Sequence, residues 1–416
     1  MRIVIATAVY YPQINGVAVF SHNLALGLAE RGHEVMVICP SQTGKNYTEV
    51  VDGVKTIYLR SVEAKVYPDQ IHAVPERKKV LGVKLPRLMY RHGFRVAVFP
   101  QLEVKKVLGE FQPNVVHVQV SDPIGLSVVG WARRHGVPVV TTEHNQPEVL
   151  TDPLKMPSAL KKPANYLLYA YFRNRQSKSD FVTMPTEQAI RGLMEGARKD
   201  LGVPVAAVSN GVDLRHFKPG RAKDEIYQKY GISKGVPVVL YVGRVDPEKQ
   251  IGKVIEAFKR ARSKVPTTEM VIVGDGVDKA RLEKIVNTEG LTGVVKFLGR
   301  VVPPDLYEIY RVGTVFATAS EIETQGIVLI EAAACGLPLI AVDKGAVSEV
   351  CVNGVNGYLC KPGDTAEMTE ALVKILTDEG LQKRFAQESM KIASEHDFER
   401  TLDKFINIYK RVVGKM

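Results

Sequence analysis

Short runs of β-branched residues alternate with helical patterns along most of this 416-residue chain. The first run, Ile3–Ile5, is followed by a helix whose inner face is predicted at Val17, Phe20, Leu24 and Leu28. Such apolar strands suit a sheet that is covered on both faces, and the intervening helices supply the crossovers that parallel strands need. The sequence therefore predicts an α/β fold with doubly wound parallel sheets.

The alternation is interrupted near the middle of the chain and then starts again. Ser209–Asp213 has the composition of a turn, and a second series of strands begins at Val238–Val242. A chain of this length holds two or three domains. We therefore predict two Rossmann-like domains with a cleft between them, at residues 1–205 and 206–390, and a C-terminal helix at 391–416 that crosses back to the first domain.

The formal net charge of +11 favours an anionic partner. Charge alone does not distinguish nucleic acid from an acidic membrane surface or a phosphorylated substrate. The stretch Lys155–Lys178 contains six Lys or Arg residues and no acidic residue, with Tyr and Phe between them. This composition is typical of a segment that contacts an anionic lipid surface. We expect a cytoplasmic protein that is peripheral on the inner face of the cell membrane.

The strongest candidate site lies in the second half of the chain, where a strand is predicted to end near Thr318 and a helix to start around Ile327. A helix N-terminus presents free backbone N–H groups, and Gly326 lets the backbone approach a ligand closely. Glu323 and Glu331 are eight residues apart, so we expect them two helical turns apart, where they can bind separate hydroxyl groups. The sequence predicts a cradle for a diphosphate here.

A second candidate segment, Gly243–Lys249, contains several charged residues and directly follows the apolar run Val238–Val242. Open α/β sheets bind their ligands in loops at the carboxyl ends of parallel strands. Arg244 offers a planar fork of donors and Lys249 a point charge, so the pair can neutralise a leaving diphosphate. Stabilisation of this kind is worth roughly 3–4 kcal/mol per group removed.

These motifs give the C-terminal half, from about Asn210 to Asp364, a resemblance to the donor domain of the GT-B glycosyltransferases of family four (group 1). The shared features are Gly-Arg-x4-Lys, Val-Gly-x-Gly and two Glu separated by seven residues, which stand here as Arg244 with Lys249, Val273–Gly276, and Glu323 with Glu331. The resemblance implies a retaining enzyme that needs no metal or other cofactor, and no Asp-x-Asp occurs in the chain.

The resemblance also implies roles for individual residues. Arg244 and Lys249 would bind the donor diphosphate, and Glu323 would contact the donor sugar near its anomeric face. Glu331 would hold the ribose hydroxyl groups. The remaining donor-binding residues would lie against the phosphates or the base: Gly16, Gly243, Arg300, Val301, Gly326, Ile327 and Val328.

The N-terminal half resembles the family less closely. The loop Tyr11–Val17 is similar to the family's loop after the first strand, where Gly16 would approach the donor phosphate or the acceptor. Asn114–Gln119 resembles a family strand whose second histidine is often catalytic, but this chain has Gln119 at that position. We include His144, after the next strand, among the candidate catalytic residues, although a structural role and an acceptor-site role both remain open for it.

The segment Glu323–Gly326, Glu-Thr-Gln-Gly, resembles the subgroup that glucosylates diacylglycerol. We therefore expect transfer of a hexose, glucose from UDP-glucose, to a membrane lipid such as diacylglycerol. The alternative within the fold is a GDP-mannose-dependent mannosyltransferase acting on a phospholipid or polysaccharide. The alternative of another class is a basic, non-catalytic nucleic-acid-binding protein. The sequence does not define the donor, the acceptor, the linkage or the oligomeric state.

Overall fold

A computed structural model describes residues 1–11, 13, 15–64, 70–71, 91–92, 94–119, 122–144 and 157–414. The chain divides into two compact units. The N-terminal unit comprises Met1–Val208 together with Leu402–Met416, and the C-terminal unit comprises Ser209–Thr401.

The N-terminal unit is built on strands. Their bounds are β1 (Arg2–Ala6), β2 (Glu34–Pro40), β3 (Tyr47–Val51), β4 (Val54–Leu59), β5 (Ser61–Ala64), β6 (Gln70–Ile71), β7 (Arg91–His92), β8 (Phe94–Ala97), β9 (Val115–Val118), β10 (Val139–Thr142), β11 (Phe181–Met184) and β12 (Val205–Ala207). Eight of them form one sheet in the order β12-β11-β10-β9-β1-β2-β4-β3, in which only β3 and β4 pair antiparallel. Two small antiparallel pairs, β5 with β8 and β6 with β7, are separate from it.

Helices connect these strands. Their bounds are α1 (Gly16–Glu30), α2 (Gln101–Phe111), α3 (Pro123–Arg134), α4 (Ser158–Gln176) and α5 (Glu187–Ala197). Side chains cap three of the helices. Asn15 accepts a hydrogen bond from the N–H of Ala18 in α1, and Asp122 and Thr186 accept from backbone N–H groups in the first turns of α3 and α5. The caps fix where each crossover leaves its strand.

The C-terminal unit repeats the same architecture. Its strands are β13 (Val238–Val242), β14 (Glu269–Val273), β15 (Val295–Gly299), β16 (Val315–Ala317), β17 (Leu339–Val342) and β18 (Gly357–Cys360). They form one sheet in the order β15-β14-β13-β16-β17-β18, and every pair is parallel. Its helices are α6 (Asp224–Tyr230), α7 (Ile251–Arg262), α8 (Lys279–Thr288), α9 (Asp305–Val312), α10 (Ile327–Ala334), α11 (Thr365–Thr377) and α12 (Glu379–Ser394).

The predicted α/β class with parallel sheets is confirmed by this topology. Strands β13 and β14 are buried along their whole length, as a sheet with helices on both faces requires. All four cysteines are buried and free, as is usual for cysteines that pack as small apolar side chains.

The last helix, α13 (Phe398–Val413), begins in the C-terminal unit and continues in the N-terminal unit. In the N-terminal unit Leu402 packs against α1 at Gly27, where an added Cβ would lie 2.5 Å from a Leu402 methyl carbon. Phe405 and Tyr409, further along α13, are completely buried. The part of α13 from Leu402 onward therefore belongs to the core of the N-terminal unit.

Candidate functional site

The loops at the carboxyl edge of the C-terminal sheet are joined by backbone hydrogen bonds. The N–H of Gly243 donates to Val273 O at 3.0 Å, and the N–H of Gly274 donates to Gly299 O at 2.7 Å. These bonds place the loops after β13, β14 and β15 side by side. Because ligands of open α/β sheets bind at this edge, the three loops define the floor of a candidate site.

The Val-Gly-x-Gly turn has a steric explanation. A Cβ on Gly274 would lie 1.8 Å from Gly243 O, and one on Gly276 would lie 2.2 Å from Val245 O. Such distances are far below van der Waals contact, so only glycine fits at either position. The motif therefore maintains the close packing of the loops that carry the charged residues.

Arg244 follows Gly243 in the first of these loops. Its guanidinium pairs with Asp246 through one terminal nitrogen and with Glu248 through the other. The side chain is 54% exposed, so these pairs add little to stability and can be exchanged for an incoming anion. Arg244 is thus an exposed cation that is paired with two carboxylates.

Lys249 and Glu323 are brought together from two separate loops. The Lys249 Nζ lies 2.7 Å from Glu323 Oε1 and 3.4 Å from Ser320 Oγ. Both side chains are mostly buried, with 14% and 19% of their surface exposed. A partly desolvated pair of this kind interacts more strongly than a surface pair, and the ammonium remains at the edge of the sheet.

The expectation that Glu323 and Glu331 are two helical turns apart is wrong. Gly326 adopts a φ of +75°, and α10 begins only at Ile327. Glu323 therefore lies in the loop before the helix, and Glu331 alone lies on it. The physical reason is the left-handed backbone at Gly326, which precedes the first helical residue and leaves Glu323 outside the helix.

The N-terminus of α10 has no side-chain cap. The N–H of Leu329 donates to Gly326 O at 2.9 Å. In the described part of the chain no acceptor forms a hydrogen bond with the N–H groups of Ile327 and Val328. These donors and the positive end of the helix dipole make an anion site, four residues after the carboxyl group that holds Lys249.

Glu331 has a different environment from Glu323. The buried Tyr310 hydroxyl donates to Glu331 Oε2 at 2.6 Å. Desolvation raises the pKa of Glu331 to about 7. Because Tyr310 occupies only one oxygen, the other is left as an acceptor for a ligand hydroxyl group.

Arg300 follows β15 at the same edge of the sheet. It is partly buried, and this desolvation lowers the pKa of its guanidinium. Within the ranges that the structure describes, no carboxylate lies at ion-pairing distance from it. Val301, the next residue, packs in the core, so only its backbone is available to a ligand. Arg300 is therefore a partly buried cation close to the donor loops.

Sequence reasoning missed the function of Gln325. This buried side chain donates from Nε2 to Ser209 Oγ at 2.6 Å and accepts from the N–H of Asn210 at 3.1 Å. His396 also contacts Ser209, at 2.9 Å. The Gln in Glu-Thr-Gln-Gly thus ties the donor loop to the start of the C-terminal unit. Tyr310 was missed as well, because nothing in its local pattern indicates a partner 21 residues away.

The N-terminal unit has a second polar cluster, in which all groups are neutral. His117 on β9 contacts the Tyr409 hydroxyl through Nδ1 and the Thr142 hydroxyl through Nε2, both at 2.6 Å. The Gln119 amide nitrogen lies 3.2 Å from the same ring. Burial lowers the pKa of His117 to about 3. The ring is a buried structural group that stays neutral at physiological pH.

His144 belongs to the same cluster. Its Nε2 lies 2.8 Å from Gln119 Oε1, and because an amide oxygen only accepts, Nε2 carries the ring proton. Burial lowers the pKa of His144 to about 3. The ring packs edge-on against Phe20, one turn after Gly16 at the exposed start of α1. Gly16 and His144 therefore lie on neighbouring elements, and Gln119 positions the histidine.

The two parallel sheets and the loops at their carboxyl edges define the class of protein. Sucrose-phosphate synthase from Thermosynechococcus elongatus superposes on this chain with a TM-score of 0.75, over 100% of both chains and at 18% identity. The predicted GT-B fold, with two Rossmann-like domains, is confirmed.

Sequence comparisons give the family. Residues 222–391 match the family model described as glycosyl transferases group 1, and residues 14–216 match glycosyltransferase family 4. The α-monoglucosyldiacylglycerol synthase of Acholeplasma laidlawii is 27% identical over 90% of this chain and 88% of its own length. A GDP-mannose-dependent α-mannosyltransferase of Mycobacterium tuberculosis is 27% identical over 100% and 98%. The chain belongs to the group 1 glycosyltransferases of family four and is a glycosyltransferase.

This assignment sets aside the non-catalytic nucleic-acid-binding alternative. No helix in the described ranges is both long and apolar enough to cross a membrane. The family does not by itself define the sugar, the acceptor or the role of any one residue. Those questions depend on the geometry of the two polar clusters.

Proposed function

We propose that this glycosyltransferase moves glucose from UDP-glucose to a membrane lipid such as diacylglycerol, with retention of anomeric configuration. One observation carries the donor part of the proposal. The Lys249 ammonium contacts Glu323 in the short loop that leads into the uncapped N-terminus of α10. A cation and two free N–H groups around one carboxylate suit a diphosphate bonded to a sugar.

In the proposed mechanism the leaving diphosphate is stabilised by fixed positive charge. Lys249 is already oriented by Glu323, and Arg244 exchanges Asp246 and Glu248 for phosphate oxygens. The backbone N–H groups at the start of α10 add two more donors. These groups are in place before the glycosidic bond breaks, so no reorganisation is needed at the transition state.

The same residues explain how the reaction is proposed to proceed without a metal ion. Lys249, Arg244 and Arg300 bring three cations to one edge of the sheet. Together they supply the positive charge that a divalent ion would otherwise give to the diphosphate. Metal independence remains a proposal, and activity in the presence of a strong chelator tests it.

Glu323 and Glu331 are proposed to position the donor. The Glu323 carboxyl group pairs with Lys249 and accepts from sugar hydroxyl groups near the anomeric carbon. Glu331 accepts from the ribose through the oxygen that Tyr310 leaves available. In the N-terminal unit, His144 is proposed to line the acceptor pocket, with Gln119 holding its ring.

Helix α4 supports a lipid acceptor. Leu160, Leu167 and Tyr171 are exposed on one side of this helix, and their spacing of seven and four residues forms a stripe. The helix contains Lys161 and Lys162 and no acidic residue. Apolar side chains flanked by cations suit an anionic membrane surface, at about 1 kcal/mol per Lys or Arg. The relative from Acholeplasma laidlawii, by its name, acts on a glycosylated diacylglycerol.

A mannosyltransferase is the second candidate. The relative from Mycobacterium tuberculosis, which by its name depends on GDP-mannose, aligns with this chain from end to end. The cations at the sheet edge recognise a diphosphate and do not distinguish uridine from guanosine. The donor must therefore be determined by experiment.

The test uses purified chain and vesicles that contain diacylglycerol and an anionic phospholipid, with radiolabelled UDP-glucose or GDP-mannose. A labelled glycolipid from UDP-glucose supports the proposal, and NMR of the product then reads the anomeric configuration. Label from GDP-mannose alone would support the second candidate. Donor hydrolysis without any lipid product would keep the enzyme class and contradict the lipid acceptor.

A further inference from the structure

A cavity of about 380 Å³ lies in the N-terminal unit beside α3. Its floor is apolar and is formed by Val118 at the end of β9 and by Leu126, Val129 and Gly130 on α3. None of the predicted donor-binding or catalytic residues lines it. The proposed reaction therefore leaves this cavity without a function.

Three cations line the cavity as well: Arg133, Arg175 and Lys178. Arg133 donates to Lys178 O at 2.7 Å, which fixes the end of α3 against the chain that follows α4. The Arg175 guanidinium lies 4.7 Å from the centre of the Tyr171 ring. Among the described lining residues there is no acid, and none of the three cations has a carboxylate partner in the described ranges.

The apolar and cationic parts are arranged along one helix face. Leu126, Val129, Gly130 and Arg133 follow the i, i+3, i+4, i+7 spacing of a single side of α3. The distance from Leu126 to Arg133 along the helix axis is about 10 Å. The cavity is thus a groove with an apolar floor and a positively charged end. This arrangement suits an amphiphile with an anionic head group.

We propose that this groove binds one anionic phospholipid, separately from donor and acceptor. Its phosphate lies between Arg133, Arg175 and Lys178, and part of an acyl chain lies along Val118, Leu126 and Val129. Tyr171, beneath Arg175, is one of the exposed apolar residues of α4. A lipid in the groove therefore sits beside the surface proposed to face the membrane. The binding does not depend on which sugar the enzyme transfers.

Gly130 offers a way to fill the groove. A Cβ on Gly130 would meet no atom within 4 Å, so Gly130→Leu places a side chain in open space that the acyl chain would occupy. Gly109 on α2 is a matched control, because it is also a helical glycine whose Cβ would meet no neighbour. Both substitutions raise helix propensity by a similar amount.

The experiment titrates the full chain with short-chain phosphatidic acid, below its micelle concentration, by calorimetry. We expect saturable binding to the wild type and to Gly109→Leu, and at least tenfold weaker binding to Gly130→Leu. The double variant Arg133→Gln/Arg175→Gln should also bind at least tenfold more weakly. This double variant tests the proposal independently if Gly130→Leu does not fold. Circular dichroism and urea unfolding verify that the N-terminal unit of each variant is folded.

Four results would overturn the proposal. Inorganic phosphate binding as tightly as phosphatidic acid would mean a simple anion site. Equal losses for the two leucine variants would attribute the effect to the helix substitution and not to the groove. Undiminished binding by the double variant, or no binding by the wild type, would exclude the phosphate contacts.

Discussion

The two polar clusters of this glycosyltransferase use opposite chemistry. In the C-terminal unit the candidate site is made of charges, with Arg244, Lys249 and Arg300 near the carboxyl edge of the sheet. In the N-terminal unit His117 and His144 are neutral and hydrogen-bonded inside the fold. Charges at an open edge can be exchanged for a charged ligand, whereas a neutral buried network mainly holds its own members in position.

Substitutions in the two clusters are expected to affect different properties of the enzyme. Removing a cation from the C-terminal cluster should lower turnover more than stability, because the cluster lies at the edge of the sheet and its carboxylates keep partial access to water. Removing a member of the N-terminal cluster should lower stability first, because buried donors and acceptors lose their partners. Each of the following predictions tests one side of this contrast.

The largest effect is expected for Lys249→Ala, which removes the best-oriented cation from the proposed diphosphate site. Turnover should fall by a factor of about 100–1,000, with an unchanged fold by circular dichroism. Lys253→Ala is the control, because Lys253 is on the next helix and lies 3.7 Å from Glu321. Steady-state kinetics measure both, and equal effects of the two variants would contradict a special role for Lys249.

Arg244→Ala should lower turnover by a factor on the order of 100, the lower end of the range for a lost transition-state donor. The effect is expected to be smaller than for Lys249, because the Arg244 side chain is 54% exposed and the Lys249 side chain only 14%, so solvent screens the charge of Arg244 more. Arg260→Ala, which removes an exposed arginine paired with Glu256, should change little. A near-normal rate for Arg244→Ala would count strongly against the proposed donor site.

Gln119→Ala tests the other side of the contrast. It leaves the ring N–H of His144 without its acceptor and should destabilise the N-terminal unit by about 2 kcal/mol. The only tryptophan of the chain, Trp131, is buried in this unit and reports its unfolding by urea through fluorescence. Gln101→Ala, at the exposed start of α2, is the control. An unchanged urea midpoint would show that the network is not structural.

The pH dependence of stability should differ in sign between the clusters. Burial lowers the pKa of His117 and His144 to about 3, so their contribution is complete above pH 6.5 and is lost as the pH falls toward 3. The pKa of Glu331 is raised to about 7, so its contribution is complete below pH 4.5 and is lost as the pH rises through 7.

Glu331→Gln isolates the second of these contributions, because glutamine resembles the protonated acid at every pH. Relative to the wild type, the variant should be more stable at pH 8 than at pH 5 by about 1–2 kcal/mol, after allowance for the exposed part of the side chain. Calorimetric melting at the two pH values measures this difference. The same difference at both pH values would contradict the raised pKa.

The smallest effect is expected at the surface of α4. Replacing Lys161 or Lys162 by Gln should weaken binding to anionic vesicles roughly fivefold per charge, which corresponds to about 1 kcal/mol each. Vesicle sedimentation measures the binding, and neutral vesicles serve as the reference. Unchanged binding to anionic vesicles would show that α4 does not face the membrane.

The sequence was most informative where a local pattern has a local cause. The apolar runs predicted the strands, and the spacing of Arg244 and Lys249 after β13 located the charged loop. The glycines at 274 and 276 were recognised as a motif, although the reason, contact with two carbonyl oxygens of the preceding loop, depends on tertiary packing.

Long-range partners could not be predicted. Nothing near Gln325 indicates that it will contact Ser209, and nothing near His117 indicates Tyr409. The helix start near Ile327 was predicted, but the relation of Glu323 to Glu331 was wrong because two helical turns were counted across Gly326, which has a positive φ and precedes the helix. In each case the outcome depends on which elements the fold brings together.

The central claim is that the charged edge of the C-terminal sheet binds a nucleoside diphosphate. Calorimetric titration of the purified chain with UDP, GDP, uridine and guanosine tests it most directly. One diphosphate should bind at least 100-fold more tightly than its nucleoside, and Lys249→Ala should remove most of that difference. Equal affinity for diphosphate and nucleoside, or a difference that Lys249→Ala leaves intact, would contradict the account.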